Sequence, residues 1–327
     1  PNRVSLIEAQ RVPELKQPEP ALTDGVLSRA DAGFVQHIAS CAGVAPALRL
    51  KATERAAAAH IVSPAVLADV YRDAAQAASG TPTPANERAR QFVTAEQSRA
   101  QFARTRALRA LLDSARRDGL YMVAAMAAAP MVRTMRPAQE ISWFNETAIE
   151  ILAAGADYAA ARQWVQASGA IDRRGGAGAL DHWLMLLDIA DPQVRREDRG
   201  RSIHLLENLA LQGRFSPEAL HRLATVLDAL DYNVPVPLWN LASRTEQPQT
   251  GHLPATGMLS AMKQASEGGQ IAATTLYAMR TIAPTGTAGT HLLGLGETIR
   301  ALKRAGLAKD ARRLGFEALF NAWPRSG

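Results

Sequence analysis

The chain has 327 residues, which is enough for one large hydrophobic core or two. Hydrophobic residues make up 47% of it but aromatic residues only 5%, so alanine and leucine carry most of the apolar content. The net charge of +6 is modest for this length; it permits an acidic partner without requiring one. The single cysteine, Cys41, excludes an intramolecular disulfide framework.

Apolar residues recur at helical spacing through most of the chain, whereas the period-two alternation typical of strands is almost absent. The sequence therefore predicts an all-α protein. Its longest apolar run, residues 121–132, contains Pro130 and is shorter than the roughly 20 residues that a membrane-spanning helix needs. We interpret this run as a buried core helix and expect no membrane span in the chain.

The N-terminal region differs from the rest in its proline content. Residues 1–22 include Pro1, Pro13, Pro18 and Pro20, which predict an extended arm. Residues 23–327 would then form the helical domain. Within it, the glycine- and arginine-rich residues 169–180 predict a flexible loop joining two halves, 23–169 and 178–327.

The sequence starts at Pro1 rather than Met and contains no signal peptide. We expect that a preceding segment, such as a secretion signal, an anchor or a tag, has been removed. With the proline-containing arm, this expectation favours the periplasm or cell envelope, with the cytoplasm as the alternative. The alanine- and arginine-rich composition favours a bacterial source.

Start signals for helices recur along the chain. Ser63-Pro64 and Ser216-Pro217 each place an N-cap serine before a proline at the first helical position, and Asp24 is a candidate cap for the first helix. The predicted helices cover about residues 24–41, 47–60, 64–78, 86–117 with a break near residue 94, 120–133, 137–154, 158–168, 181–189, 202–212, 217–230, a short helix at 239, 255–266, 269–282, 291–304 and 308–322.

Residues 137–169 predict a helical hairpin. Gly155 stands where a helix commonly ends on a left-handed residue, and Asp157 can cap the helix that follows. Neither helix can bury its apolar face alone, so the pair needs neighbouring helices. The apolar face of the first helix contains Ile141, Phe144, Ala148, Ile151 and Leu152.

A glycine between two helices recurs at Gly119, Gly155, Gly213 and Gly306, and residues 146–155 resemble residues 297–306. This pattern is similar to the tetratricopeptide and HEAT-like classes of helical repeat, although the tetratricopeptide consensus is not present. The resemblance implies a degenerate α-solenoid, a superhelical array of antiparallel helix pairs. Such arrays hold a protein or peptide partner in a concave groove.

Four arginines, Arg99, Arg106, Arg109 and Arg117, line the side of one predicted helical stretch that lies opposite its leucines. They are candidates for binding a polyanion such as nucleic acid. Acidic residues dilute the stripe, and stacking aromatic residues are not interleaved with it. The alternative interpretation is a solvated helix face.

Two histidine and glutamate pairs are candidates for a metal site. His204 with Glu207 and Glu218 with His221 have the i, i+3 spacing found in di-iron helical bundles, on helices joined by a short loop. The leucines of both helices point to the opposite side, so the alternative is again a solvated face.

Two further motifs match catalytic or phosphate-binding patterns only in part. Ser260 and Lys263 have the Ser-x-x-Lys spacing of penicillin-binding enzymes, but the companion Lys-Thr-Gly element is missing. The glycine-rich residues 286–296 lead into a helix but lack the Walker lysine and the preceding strand. We interpret this segment as a turn whose glycines permit close packing.

The tryptophans occupy predicted helical positions. We expect them to pack in the core and between repeats rather than to form a carbohydrate-binding platform. They are Trp143, Trp164, Trp183, Trp239 and Trp323.

The sequence therefore predicts a non-enzymatic helical scaffold that binds a protein or peptide and needs no cofactor. The first alternative is a nucleic-acid-binding array that uses the arginine stripe. The second is a hydrolase dependent on a metal or on a serine.

Overall fold

The computed structural model describes residues 27, 30–41, 43–77, 83–171, 180–246, 251–282 and 286–325. Within these residues the chain forms seventeen α-helices and no β-strand, which confirms the all-α prediction. The predicted arm at residues 1–22 lies outside the described residues, as do residues 172–179 of the predicted loop. The chain divides into two compact units, Pro1–Ala160 and Ala161–Gly327.

The helices of the first unit follow one another closely along the chain. They are α1 Ala32–Ser40, α2 Pro46–Ala58, α3 Pro64–Ala77, α4 Pro84–Gln97, α5 Gln101–Arg117, α6 Tyr121–Arg133, a 3₁₀ helix at Gln139–Phe144, and α7 Asn145–Ala154. Each α-helix packs against the next one in sequence. Helix α6 also contacts α2, α3 and α4, and most of its residues are buried. The prediction of a buried core helix at residues 121–132 is confirmed.

The second unit is connected differently. Helix α8, Tyr158–Ile171, begins at the boundary between the two units. The rest are α9 Trp183–Ala190, a 3₁₀ helix at Arg196–Asp198, α10 Ile203–Leu211, α11 Pro217–Ala229, α12 Val236–Arg244, α13 Thr256–Glu267, α14 Ile271–Ile282, α15 Gly286–Gly289, α16 Leu292–Arg304 and α17 Ala308–Phe320. Helix α9 packs against α17, and α11 packs against α16 and α17. Contacts in this unit therefore join segments that are far apart in sequence, in addition to sequential pairs such as α13 with α14 and α16 with α17.

The predicted start signals form real caps. The Ser216 hydroxyl accepts the Ala219 N–H at 3.2 Å ahead of α11, and the Ser63 hydroxyl accepts the Val66 N–H at 3.4 Å ahead of α3. The cap of α1 is Asp31, whereas Asp24 lies outside the described residues. These caps satisfy N–H groups that have no partner within the helix.

The stretch predicted as one helix at 86–117 is divided between α4 and α5. The division falls at residues 98–100, slightly beyond the predicted break near residue 94. The guanidinium group of Arg104 donates to the carbonyl oxygens of Ala95 and Ser98, at 3.1 and 2.9 Å. It thereby satisfies carbonyls at the end of α4 that have no helical partner.

The first helix of the predicted hairpin begins as a 3₁₀ turn, so the prediction of an α-helix from residue 137 is wrong. Residues Gln139–Phe144 form the 3₁₀ helix, and Ile141 has non-helical angles of φ −120° and ψ 19°. A 3₁₀ helix has three residues per turn, so Ile141 and Phe144 share its inward side. The five residues predicted for the apolar face are all buried.

The prediction of a left-handed Gly155 is also wrong. Its φ is −75°, and Ala156 takes the left-handed conformation with φ 58°. The side chain of Asp157 accepts the Ala160 N–H at 3.2 Å, which confirms its role as a cap. A Cβ on residue 155 would lie only 2.4 Å from the Cβ of Ala129 in α6. Glycine is therefore needed here for the close approach of two helices.

A buried ionic cluster links four helices of the first unit. The Arg88 guanidinium in α4 donates to both carboxylate oxygens of Glu54 in α2, each at 2.7 Å. The Tyr71 hydroxyl in α3 donates to the same carboxylate at 2.9 Å, and burial raises the pKa of Tyr71 well above its usual value. Arg88 also donates to Ser114 in α5 at 3.2 Å and to Asp118.

The second unit contains a comparable cluster at the end of α9. The Tyr232 hydroxyl donates to the Asp188 carboxylate at 2.8 Å, and Arg312 in α17 donates to the Asp188 carbonyl at 2.7 Å. Burial raises the pKa of the Asp188 carboxyl, against the opposing effect of the Gly200 N–H that it accepts at 2.6 Å. The donors lie where the carbonyls of α9 lack helical partners.

Replacing Gly155 with alanine is expected to lower the free energy of unfolding by about 1–3 kcal/mol, because the new methyl group overpacks the contact with Ala129. The matched control is Gly33→Ala in α1, where the nearest atom to the new Cβ is Asp31 Oδ1 at 3.6 Å. That change should raise the free energy of unfolding by up to about 1 kcal/mol. Urea denaturation measures both values. A stabilising Gly155→Ala would contradict the close helix contact.

Replacing Arg88 with methionine is expected to cost about 3–5 kcal/mol, because it leaves the Glu54 carboxylate buried without its cation. Arg72→Met is the matched control, since Arg72 binds Glu96 at 2.7 Å with its own side chain 41% exposed. Its loss should be below about 1 kcal/mol. Guanidinium chloride denaturation compares the two. Equal losses of stability would contradict the burial of the Arg88–Glu54 ion pair.

Candidate functional site

Helix α5 separates an apolar inner face from a basic outer face. The predicted inner residues Leu108, Leu111, Leu112 and Ala115 are all buried. All four arginines of the predicted stripe are exposed; Arg106, Arg109 and Arg117 lie on α5, and Arg99 lies in the connection before it. The sequence pattern therefore placed both faces correctly.

Two large aromatic side chains are exposed beside these arginines. Phe102 on α5 is 51% exposed and Trp143 on the 3₁₀ helix is 44% exposed. Their ring centroids lie 6.4 Å apart with the planes at 77°, an edge-to-face pair. Trp143 also contacts Phe144, which is fully buried, at 5.7 Å. The pair is thus anchored to the core of the first unit.

Arg106 and Arg109 follow Phe102 on α5, about one and two turns further along the helix. The Arg106 guanidinium lies over the Phe102 ring, 5.9 Å from its centroid. Arg109 donates to the Thr147 hydroxyl at 3.1 Å and to the Asp113 carboxylate at 3.2 Å. We call Phe102, Arg106, Arg109 and Trp143 the aromatic–arginine surface.

The exposure of Trp143 follows from the local 3₁₀ geometry. Because Ile141 and Phe144 point into the core three residues apart, Trp143 between them points away from it. The helix packs against α5, which brings Trp143 to Phe102. The sequence did not reveal this pair, because an α-helix was predicted at Trp143 and helical periodicity does not relate Trp143 to Phe102. An apolar residue on the charged face of α5 was the available signal.

The structure does not gather the candidate metal ligands. His204 Nδ1 lies 2.8 Å from the Arg201 carbonyl oxygen, and His221 Nε2 lies 3.0 Å from the Thr245 hydroxyl. Glu218 accepts from Arg222 at 3.2 Å, and Glu207 is half-buried. Among the described residues there is no group of three or more His, Cys, Asp or Glu side chains suited to a metal ion.

The Ser-x-x-Lys motif lies on the surface of α13. Ser260 and Lys263 are both exposed, and the Lys263 ammonium lies 3.9 Å from Glu267 on the same helix. An i, i+4 ion pair is an ordinary feature of a solvated helix face.

The glycine-rich segment presents carbonyl oxygens to an arginine. Arg222 in α11 donates to the carbonyls of Thr287 and Ala288, each at 2.8 Å. A Cβ on Gly294 would lie 3.1 Å from Pro254, and one on Gly296 would lie 3.1 Å from Thr225. These contacts support the interpretation of glycines that permit close packing.

The tryptophans divide into two groups. Trp164, Trp183 and Trp323 are buried, as predicted. The prediction of core packing is wrong for Trp143 and for Trp239, which are exposed in separate units.

A second exposed apolar face lies on α14. Ile271, Leu276 and Met279 are each more than half exposed, whereas the smaller Thr274 and Thr281 are buried. The threonine hydroxyls donate to carbonyls one turn earlier, at 2.9 Å, so they are buried with a partner. The helix thus exposes larger apolar side chains than it buries.

Comparisons with models of protein families, with curated proteins and with solved structures found no match to this chain. No helix in the described part of the chain combines the length and the hydrophobicity that crossing a bilayer requires.

Truncating Trp143 to alanine is expected to cost about 1 kcal/mol or less, since nearly half of the side chain already faces water. Truncating its neighbour Phe144, which is fully buried, should cost about 3–5 kcal/mol. Thermal and urea unfolding measure both variants. Comparable losses would show that Trp143 belongs to the core and is not available to a partner.

Proposed function

We propose that this protein is a non-enzymatic helical scaffold that binds a protein or peptide through the aromatic–arginine surface. The observation that carries the proposal is the exposed pair of Phe102 and Trp143 beside Arg106. Tryptophan, other aromatic residues and arginine are enriched at protein interfaces and dominate their binding energy.

The surface has the composition of a protein-binding site. Its apolar centre is formed by Phe102 and Trp143, and the cationic groups of Arg106 and Arg109 lie on the same helix as Phe102. Such an arrangement lets a partner bury its own apolar side chain in the centre while polar contacts form at the rim.

The surface is also held in place before any partner arrives. The orientation of Trp143 follows directly from the packing of Ile141 and Phe144. The Arg109 side chain is held by hydrogen bonds to Thr147 and Asp113. A preorganised surface loses less conformational entropy on binding. The packing of α1 to α7 in sequence order supports a helical-repeat scaffold as the framework that carries it.

Nucleic-acid binding is the second candidate. Phe102 lies between Arg99 and Arg106 in the sequence, and the fold brings Trp143 beside it as a second exposed ring on which bases could stack. Against this candidate, the acidic side chains of Asp113 and Glu140 are exposed on the same two helices. Phosphate groups close to Glu140 would be repelled, and Arg109 is less available to a phosphate because it pairs with Asp113.

The proposal is tested by selecting binders to the immobilised full chain from a random library of phage-displayed peptides. Peptides enriched on the natural chain should lose at least roughly 10-fold in affinity when Phe102 and Trp143 are both changed to alanine, as expected for hot-spot residues. The control changes Leu276 and Met279 to alanine, which removes exposed apolar area from α14 instead. This control should leave the affinities unchanged.

If no peptide is enriched, or if enriched peptides ignore the loss of Phe102 and Trp143, the proposed binding surface is wrong. A labelled 20-mer of thymidine nucleotides, measured at low and high salt, tests the second candidate in parallel. Salt-sensitive binding that requires Arg106 would favour nucleic acid.

A further inference from the structure

We propose that the partner segment recognised by the aromatic–arginine surface is an acidic peptide with an apolar or aromatic anchor, an inference that rests on the function proposed above. The anchor would pack against Phe102 and Trp143, and carboxylates further along the peptide would meet Arg106 and Arg117 of α5. Three observations about charge and spacing support this partner.

The first observation is an excess of positive charge along α5 and its preceding connection. Within the described residues, Arg99, Arg106 and Arg117 form no ion pair with an acidic side chain, and all three are exposed. The acidic residues nearest to them in sequence are already engaged. Glu96 binds Arg72, Asp113 binds Arg109 and Asp118 binds Arg88. Cations without an anion on the protein complement an anionic partner.

The second observation is the alignment of two of these cations, Arg106 and Arg117, in one stripe along α5. Arg106 and Arg117 are eleven positions apart, which returns to the same side of an α-helix. They are separated by roughly 16 Å along the axis, the length of about five residues of extended chain. Phe102 lies one turn before Arg106, so the apolar centre stands at one end of the stripe. A short peptide lying along α5 could contact both arginines and the aromatic pair.

The third observation distinguishes a peptide from a nucleic acid. Asp113 lies on α5 between Arg106 and Arg117, and Glu140 is exposed on the helix that carries Trp143. A nucleic-acid strand has a phosphate at every nucleotide and would bring negative charge close to Asp113. A peptide can place its carboxylates opposite the two arginines and a neutral residue between them. Because Asp113 lies between the two arginines, the stripe favours a peptide with separated carboxylates over a nucleic acid with a continuous row of phosphates.

The test repeats the peptide selection on the full chain and on a variant with Arg106→Glu and Arg117→Glu. Peptides enriched on the natural chain should carry Asp and Glu on one side of an apolar residue. Their affinity should fall at least roughly 10-fold on the charge-reversed variant, and selection on that variant should enrich basic peptides instead. Both arginines are exposed, so the variant should fold, which circular dichroism and thermal unfolding verify.

The matched control, Arg280→Glu with Lys309→Glu, changes the net charge equally at exposed positions of the second unit. It should leave the affinity of the acidic peptides within about 2-fold of the natural value, because neither position belongs to the aromatic–arginine surface or to α5. An equal loss on this control would assign the preference to the overall charge and overturn the proposal.

The outcomes separate this inference from the function on which it rests. Enriched peptides that are neutral or basic, yet depend on Trp143, would overturn the acidic partner and leave the protein-binding function standing. An absence of peptides that depend on Trp143 would overturn both. Binding of the thymidine 20-mer with no enriched peptide would overturn both in favour of nucleic acid.

Discussion

A carboxylate buried between a tyrosine hydroxyl and an arginine fixes how the helices of the first unit pack, with Glu54, Tyr71 and Arg88 in these roles. The faces of alanine-rich helices are small and similar along their length, so apolar burial alone discriminates poorly between alternative registers. A bidentate arginine–carboxylate contact has one geometry, and a shifted helix would leave a buried charge unpaired. We infer that this cluster sets the register of α2, α3 and α4.

The aromatic–arginine surface depends on the same cluster. Arg88 reaches from α4 to Ser114 and Asp118 at the C-terminal end of α5, so the position of α5 is tied to the buried carboxylate. The opposite end of α5 carries Phe102, against which Trp143 packs. A polar contact in the interior thus positions an apolar contact at the surface. The aromatic pair is already formed in this structure, because the buried Phe144 contacts Trp143 and Trp143 contacts Phe102.

Much of the helical framework was predictable because its determinants are local. Serine before proline marked the starts of α3 and α11, and the spacing of Leu108, Leu111 and Leu112 identified the inner face of α5. A helical period and an N-cap involve residues three or four positions apart, so the sequence contains both partners of each interaction. The exposure of the arginine stripe followed from the same periodicity.

The sequence by itself therefore determined most of the helices, the caps at Ser63, Ser216 and Asp157, and the inward side of α5. Only the tertiary structure decided that Ala156 rather than Gly155 is left-handed, because the approach of α6 reserves residue 155 for glycine. Likewise, Glu54 and Arg88 are 34 residues apart, and Phe102 meets Trp143 across two helices. Such contacts leave no period in the sequence. They arise when whole helices pack, and that packing placed two aromatic residues beside the arginines.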